Sequence, residues 1–359
     1  MLENSVLKNR ISKVKKAARE KNISSLLVTK PENKHYLSGF SSSNYYILLT
    51  EEKDYLLTDF RYIEAANALS ETYEVVMISN DFSALKFIDD KKFESLGIEY
   101  KSVTFDFYND LKEKAKIKTT IPSDNIIEEI RVIKEASELD KIKKAAEIAN
   151  KGFIHILDFI TPGMTEKHIA MELEFFMKKN GADALSFDTI LASGKNGSLP
   201  HAIPSNKIVE KGDMITMDFG VMVENYCSDM TRTIGVSFLS DKQKEIYNVV
   251  LKAQEESLAS LKVGSKCSSI DKIARDIINE AGYKDFFGHG LGHGVGLEIH
   301  EAPTLNASSE DILRANMVVT IEPGIYIPEN FGVRIEDLAI IGDSDIITLS
   351  NVDKNLIII

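Results

Sequence analysis

"MITMDFG", residues 214–220, sets an acid in a run otherwise composed as a core strand, and "MVVTIEPG", residues 317–324, does the same. An unpaired carboxylate in an apolar interior costs several kcal/mol or more, so Asp218 and Glu322 each need a partner. Superposing the two stretches brings the next acids into register: Asp229 in "YCSDMTRT" with Glu336 in "GVRIED". Arg232 and Arg334 are the cations close in sequence, too few for four carboxylates. Four carboxylates carry −4 and two divalent cations carry +4, so metal solves the charge problem. One neutral imidazole would complete a set of oxygen donors plus a nitrogen, which suits hard or borderline ions, Mn²⁺ in particular. Two such ions can activate a water and polarise a carbonyl. The competing reading, a set of surface ion pairs, fits poorly with acids placed inside strand-like apolar runs.

Around each acidic strand the sequence repeats itself. Leu139, Ile142, Ala146, Ala149, Phe153, Ile156 and Ile160 fall at alternating steps of three and four, one face of a long helix. Ser137 with Asp140 is expected to cap it, and "TPG" (161–163) to end it. A second helix is expected from Thr165 to "NG" (180–181). The pattern then recurs: a helix from Ser240, with Gln243 completing a capping box, to "KVG" (262–264), and a shorter one from near Ser269 to "AG" (281–282). Each helix pair leads into a glycine- and histidine-containing loop, "SGKNGSLPHA" (193–202) or "GHGLGHGVGLEIHEAP" (288–303), and each loop into an acidic strand. This predicts a duplicated unit with a pseudo-two-fold axis. The alternative is coincidence among common helix–turn–strand patterns.

The second loop holds His289, His293 and His300, three of the chain's seven histidines. A phosphate loop needs backbone N–H groups at a helix N-terminus and usually a lysine, and no Gly-Lys-Ser/Thr occurs here. The alternating glycines are therefore expected to let the backbone pass close to a metal and a substrate. Core packing is the bland role for these histidines. His35, His155 and His168 have no acidic companions in the sequence and are expected to be structural.

The remaining features bound the class. The 359 residues suffice for two domains. A hydrophobic share of 43% and a charged share of 27% belong to a globular protein, with no apolar run near the roughly 18 residues of a membrane span. The net charge of −12 argues against a nucleic-acid partner. "MLENSVLKNRISKVKKAARE" reads as the start of an amphipathic helix, not a secretory signal. Cys227 and Cys267 form neither a disulfide framework nor a zinc cluster, and a cytoplasmic location is the expectation. Residues 1–120 mix strands ("ISSLLVTK", "YYILLT", "DYLLTD") with a helix ("FRYIEAANAL"). "TTIPSDN" (119–125) reads as the linker, giving domains 1–122 and 126–359.

Five stretches, "SGKNGSLPHA", "MDFGVMVENYCSDMTRT", "GHGLGHGVGLEIHEAP", "TIEPGIY" and "VRIED", resemble in order the motif blocks of the proline-specific metallopeptidases, aminopeptidase P and prolidase. "HYLSGF" and "LLTDFRYIEAA" resemble the amino-terminal domain of that family more weakly. The resemblance implies an α/β (α+β) chain: an amino-terminal creatinase-like domain, then a pita-bread domain with an internal pseudo-two-fold repeat. It implies metal ligands Asp218, Asp229, His293, Glu322 and Glu336. It implies substrate-handling and transition-state roles for His201, His289 and His300, and places Arg334 near the site. It implies two divalent ions, Mn²⁺ first, with Co²⁺, Zn²⁺ or Fe²⁺ as others the site accepts, and a homodimer. The family usually has Gly where Asn225 stands; Asn tolerates a left-handed turn best after Gly.

The residues themselves fit these roles. Arg334 and Glu336 are two apart, as are Asp229 and Thr231, so a strand turns each pair to one side; Thr231 is then a supporting donor. Glu322 could also take the proton of the attacking water. Phe187 and His300 leave room for a proline ring, and Arg334 is expected to help hold the substrate's carboxyl side. The expected activity is cleavage of the first bond of peptides with proline second. The alternatives are a prolidase acting on dipeptides, a metal-free creatinase-type hydrolase, a methionine aminopeptidase and a non-catalytic binding protein. All five ligands being present disfavours the metal-free and non-catalytic readings, and the long leading domain disfavours a methionine aminopeptidase.

Overall fold

Residues 3–359 are described in the structure, a computed structural model, whose chain divides into a unit ending at Arg131 and a unit Val132–Ile359. Met1 and Leu2 of the expected first helix lie outside the described residues. The helix runs Asn4–Glu20 and buries Leu7, Ile11, Val14 and Ala18 at steps of three and four.

The first unit holds a mixed six-stranded sheet. Its order is Glu74–Ile78, Tyr55–Asp59, Tyr45–Leu49, Leu26–Val28, Ser95–Ile98, Thr119–Pro122. The stretch expected as a linker thus begins with an edge strand: Thr119–Pro122 pairs in parallel with Ser95–Ile98. Pro122 read as a breaker, but at the end of an edge strand its missing N–H is harmless. A helix, Ile126–Arg131, follows, and the division between units falls after it.

The second unit is built as two similar halves. Helices Ala136–Phe159 and Glu166–Lys179 precede a sheet in which Met214–Phe219 lies antiparallel between Ile190–Ser193 and Met230–Gly235. Helices Asp241–Ala259 and Cys267–Glu280 precede one in which Val318–Ile321 lies antiparallel between Gly292–Gly294 and Asp337–Ile341. A hairpin joins the middle strand to the next in each half: Val221–Val223 with Tyr226–Cys227, and Gly324–Ile327 with Phe331–Arg334. The repeat expected from the sequence is present in the three central strands and the hairpin of each half, while Glu301–Leu305 and Ile346–Thr348 extend the second sheet to five strands.

Each half has its own core. Ala145, Ala149, Phe153 and Ile156 of the first long helix pack with Leu173, Met217, Phe219 and Ile234; Ile246, Val250, Ile270, Val319 and Ile321 pack in the second. The first long helix starts two residues earlier than Ser137 would place it. The Glu135 N–H donates to Glu138 Oε2 at 2.9 Å, and Tyr226 donates to the other oxygen at 2.8 Å, so a buried glutamate organises this turn. The Ser240–Gln243 capping box forms as read. The halves are also stitched together. The Glu336 N–H donates to the Thr231 carbonyl at 3.0 Å. Residues 357–359 run beside the first half, with Gly235 N–H to Ile357 O at 2.8 Å and Ile359 N–H to Gly235 O at 3.0 Å. Among the described residues no helix is long and apolar enough to cross a membrane.

Candidate metal centre

The duplicated topology puts four acids at equivalent places. Asp218 lies in the middle strand of the first half, opposite Thr231 and Ile190. Glu322 directly follows the middle strand of the second. Asp229 and Glu336 each immediately precede the third strand of their half. The hairpin before Asp229 turns through Glu224 and Asn225, both with positive φ (48° and 69°), as a two-residue turn matched to the strand twist requires. Asn225 therefore does the work of the family's glycine.

His293 joins the acids from the glycine-rich loop. Its Nε2 lies 3.4 Å from Glu322 Oε1 and 3.6 Å from Asp229 Oδ2. Donor atoms of Asp229, His293 and Glu336 lie within 4.8 Å of one another. His293 Nδ1 is 3.1 Å from its neighbour's carbonyl, Gly294 O, so Nδ1 carries the proton and the Nε2 lone pair faces the acids. Burial lowers its pKa to about 4, keeping the ring neutral.

The loop's glycines have a reason the sequence did not reveal. A Cβ at Gly292 would stand 2.1 Å from the Thr320 carbonyl oxygen, and one at Gly294 2.2 Å from that of Ala302. They let the loop press against neighbouring backbone, where the expectation was contact with metal and substrate.

The charges are unbalanced. Burial, then the neighbouring carboxylates Glu336, Asp218 and Glu322, pushes the Asp229 carboxyl well above its usual range. Burial followed by Glu322 and Asp218 does the same to Glu336, and burial lifts Glu322 to about 8. One guanidinium, Arg334, faces the cluster, its Nη2 2.6 Å from Asp218 Oδ2. Asp218 Oδ1 and Glu336 Oε1 are buried without a hydrogen-bond partner among the described residues. Unpaired buried carboxylate oxygens beside a neutral imidazole fit a hard or borderline divalent cation.

Arg334 is expected at the substrate's carboxyl side, yet four of its five N–H groups are engaged inside the protein. Nε donates to Thr231 Oγ1 at 3.1 Å, Nη1 to Tyr326 at 2.8 Å and to Pro200 O at 3.3 Å, and Nη2 to Asp218. It is buried and braces the acids. Thr231 in turn donates to Glu336 Oε2 at 2.7 Å. Tyr326, not singled out from the sequence, links Arg334 to His289: its hydroxyl accepts from the guanidinium and donates to His289 Nε2 at 2.9 Å. His289 Nδ1 donates to Gly290 O at 2.8 Å. Burial, then the Arg334 charge, lowers His289 to about 4, so this ring too is neutral. Nothing in the sequence marks Tyr326: its register opposite Gly332 and diagonal to Arg334 appears only in the folded hairpin.

His201 and His300 differ from these. Both are exposed, both line the cleft, and among the described residues neither makes a hydrogen bond. The His300 ring meets His293 edge-on at 4.3 Å. The cleft encloses about 810 Å³, with the acids at one wall and Phe187, Met171, Ile203 and Pro204 among its apolar lining. His155 pairs with Glu172 at 2.7 Å on the helices and stays outside the cleft, as does His168; the acidic companion of His155 was not visible in sequence.

A duplicated sheet pair with a buried carboxylate–imidazole cluster under a peptide-sized cleft defines a metal-dependent hydrolase. The chain belongs to metallopeptidase family M24, whose sequence model matches residues 140–343, and residues 10–133 match the Creatinase/Prolidase N-terminal domain. Over 355 residues it is 40% identical to the Xaa-Pro dipeptidase of Pyrococcus horikoshii, covering 98% of this chain and 99% of that one. Among solved structures it is similar to an Xaa-Pro dipeptidase from Bacillus anthracis, with a TM-score of 0.94, 41% identity, and 98% and 100% of the two chains covered. It is also similar to an X-Pro aminopeptidase from Thermotoga maritima, with a TM-score of 0.88, 36% identity, and 96% and 100% covered. It is thus an M24 metallopeptidase with the pita-bread fold, and the family implies divalent metal.

Proposed function

We propose that this enzyme hydrolyses the bond preceding proline at the N-terminus of peptides, using two divalent ions, Mn²⁺ first, held by Asp218, Asp229, His293, Glu322 and Glu336. The observation that carries this is the buried acid cluster with orphaned oxygens at the wall of the cleft. When bound, such ions lower the pKa of a water and polarise the scissile carbonyl.

The protein's own groups do the rest. An Xaa-Pro nitrogen carries no hydrogen, so recognition must fall on the carbonyl side. His201, with a free ring, donates to the carbonyl oxygen as negative charge develops there. Glu322 takes a proton from the attacking water and delivers it to the proline nitrogen as the C–N bond breaks. The proline ring lies against Phe187 and His300. The substrate's free amine faces the acids, which makes the enzyme an exopeptidase. His289 lines the cleft and also supports Asp218 through Tyr326 and Arg334.

Longer peptides are favoured over dipeptides, supported by a cleft of about 810 Å³ in the range that takes drug-sized ligands. The dipeptidase reading has the names of two relatives at 40% and 41% identity in its favour. We also propose a homodimer in the cytoplasm, where the two free cysteines stay reduced. The test compares a free Xaa-Pro tripeptide, its N-acetylated form, its alanine counterpart and the dipeptide. Efficient cleavage of the acetylated or alanine peptide refutes the assignment. A dipeptide cut much faster than the tripeptide makes the enzyme a prolidase.

A further inference from the structure

Glu166 opens the Glu166–Lys179 helix, where an acidic side chain is ordinarily solvated, yet here it is fully buried. Its Oε1 accepts from the Ser193 N–H at 2.7 Å, the Ser193 hydroxyl at 2.9 Å and the Asn196 amide at 3.1 Å. Its Oε2 accepts from the Ser205 N–H at 3.0 Å, the Ser205 hydroxyl at 2.6 Å and the same amide at 3.1 Å. Lys207 adds its charge through Ser193 Oγ at 2.9 Å and is itself tied to Asp213 at 2.7 Å. Ser193 and Asn196 precede His201, and Ser205 follows it. The loop's other side rests on the strand Phe331–Arg334. Pro200 O accepts from Arg334, and a Cβ on Gly332 would stand 2.0 Å from the Gly197 carbonyl oxygen.

Among the described residues His201 makes no hydrogen bond, so the loop that carries it sets where its ring stands. We propose that Glu166 is the positioning residue for His201: one buried carboxylate gathers both flanks of the loop and holds the imidazole at the cleft. The proposal rests on the reading that His201 acts on the substrate carbonyl. Each oxygen faces only donors, so a glutamine would turn an N–H₂ against N–H and O–H groups and release one flank.

The test is a double-mutant cycle on the metal-loaded enzyme with an Xaa-Pro tripeptide, combining Glu166→Gln with His201→Ala. Displacement by about 1 Å can cost about 100-fold, so Glu166→Gln is expected to lower kcat roughly 10- to 100-fold with metal content unchanged. In the His201→Ala background it should cost less than about twofold, since the group it positions is gone. Ser205→Ala, which removes one donor, should follow the same pattern more weakly, and it carries the test if Glu166→Gln does not fold. Equal losses in both backgrounds would overturn the proposal and leave Glu166 a stabiliser of the fold. Full turnover in His201→Ala alone would instead overturn the reading of His201.

Discussion

Asp218 gives one oxygen to Arg334 and, among the described residues, leaves Oδ1 without a hydrogen-bond partner; Glu336 gives one to Thr231 and leaves Oε1 likewise. Each acid is thus aimed by one oxygen and offers the other. Supporting groups of this kind typically account for 10- to 100-fold in metal affinity. Thr231→Val, which keeps the shape and removes the hydroxyl, should weaken metal binding by roughly that factor, measured by chelator competition with the fold intact by circular dichroism. His201→Ala and His300→Ala should behave oppositely, lowering turnover about 10²- to 10³-fold while elemental analysis finds metal near normal. Asp229→Ala should lose metal and turnover together. Loss of metal in either histidine variant would move that ring into the ligand set. The acids were legible because a carboxylate in a core strand contradicts its surroundings, and Thr231 because strand alternation sets it on the same side as Asp229. Tyr326 and Glu166 were not legible. An aromatic in a strand and an acid in a first helical turn are each ordinary, and their partners come from distant loops.

At the scale of elements, the glycine-rich segment separates positions that look alike in sequence. A Cβ at Gly292 would strike the Thr320 carbonyl, whereas one at Gly288 meets nothing within 4 Å. Gly288→Ala should therefore be tolerated, while Gly292→Ala must push the strand carrying His293 off its neighbour and lower both thermal stability and metal affinity. Equal melting temperatures for the two variants would show that the loop can yield. The same distinction explains what sequence could not give here: alternating glycines announce close approach without saying to what. It also explains the misread linker. Pro122 and the polar residues after it carry turn chemistry, and only the pairing of Thr119–Pro122 with a strand begun at Ser95 reveals them as a sheet edge.

For the whole molecule, the acid cluster ties stability to pH and to cations. Without cations, Glu322 titrates near 8 in the fold against an ordinary value of 4.5, because burial disfavours its charge. A folded-state pKa raised above the unfolded one gives stability that is complete below the unfolded value and is lost as pH rises through the folded value. The cation-free protein should thus weaken as pH climbs from about 4.5 to about 8. Cations remove that penalty, and they bind only deprotonated ligands. The rise in melting temperature on adding Mn²⁺ should therefore be larger at about pH 8 than at about pH 6. Thermal unfolding with and without Mn²⁺ at both values checks this, and a larger rise at the lower pH would contradict it.

The pairing of residues 357–359 beside Gly235 has a consequence for how the molecule is made. Gly235, at the end of the first half's third strand, bridges a segment that leaves the ribosome after the whole second half. A nascent chain that has reached Gly235 carries an open strand edge, the kind of surface that invites pairing with other chains. The two halves resemble each other, yet the first gains its contacts at Gly235 only once the second has been made. On the proposed ligand set, a chain broken off before Glu336 would lack both a carboxylate of the cluster and the segment that pairs with Gly235, so it is expected to take up no cation.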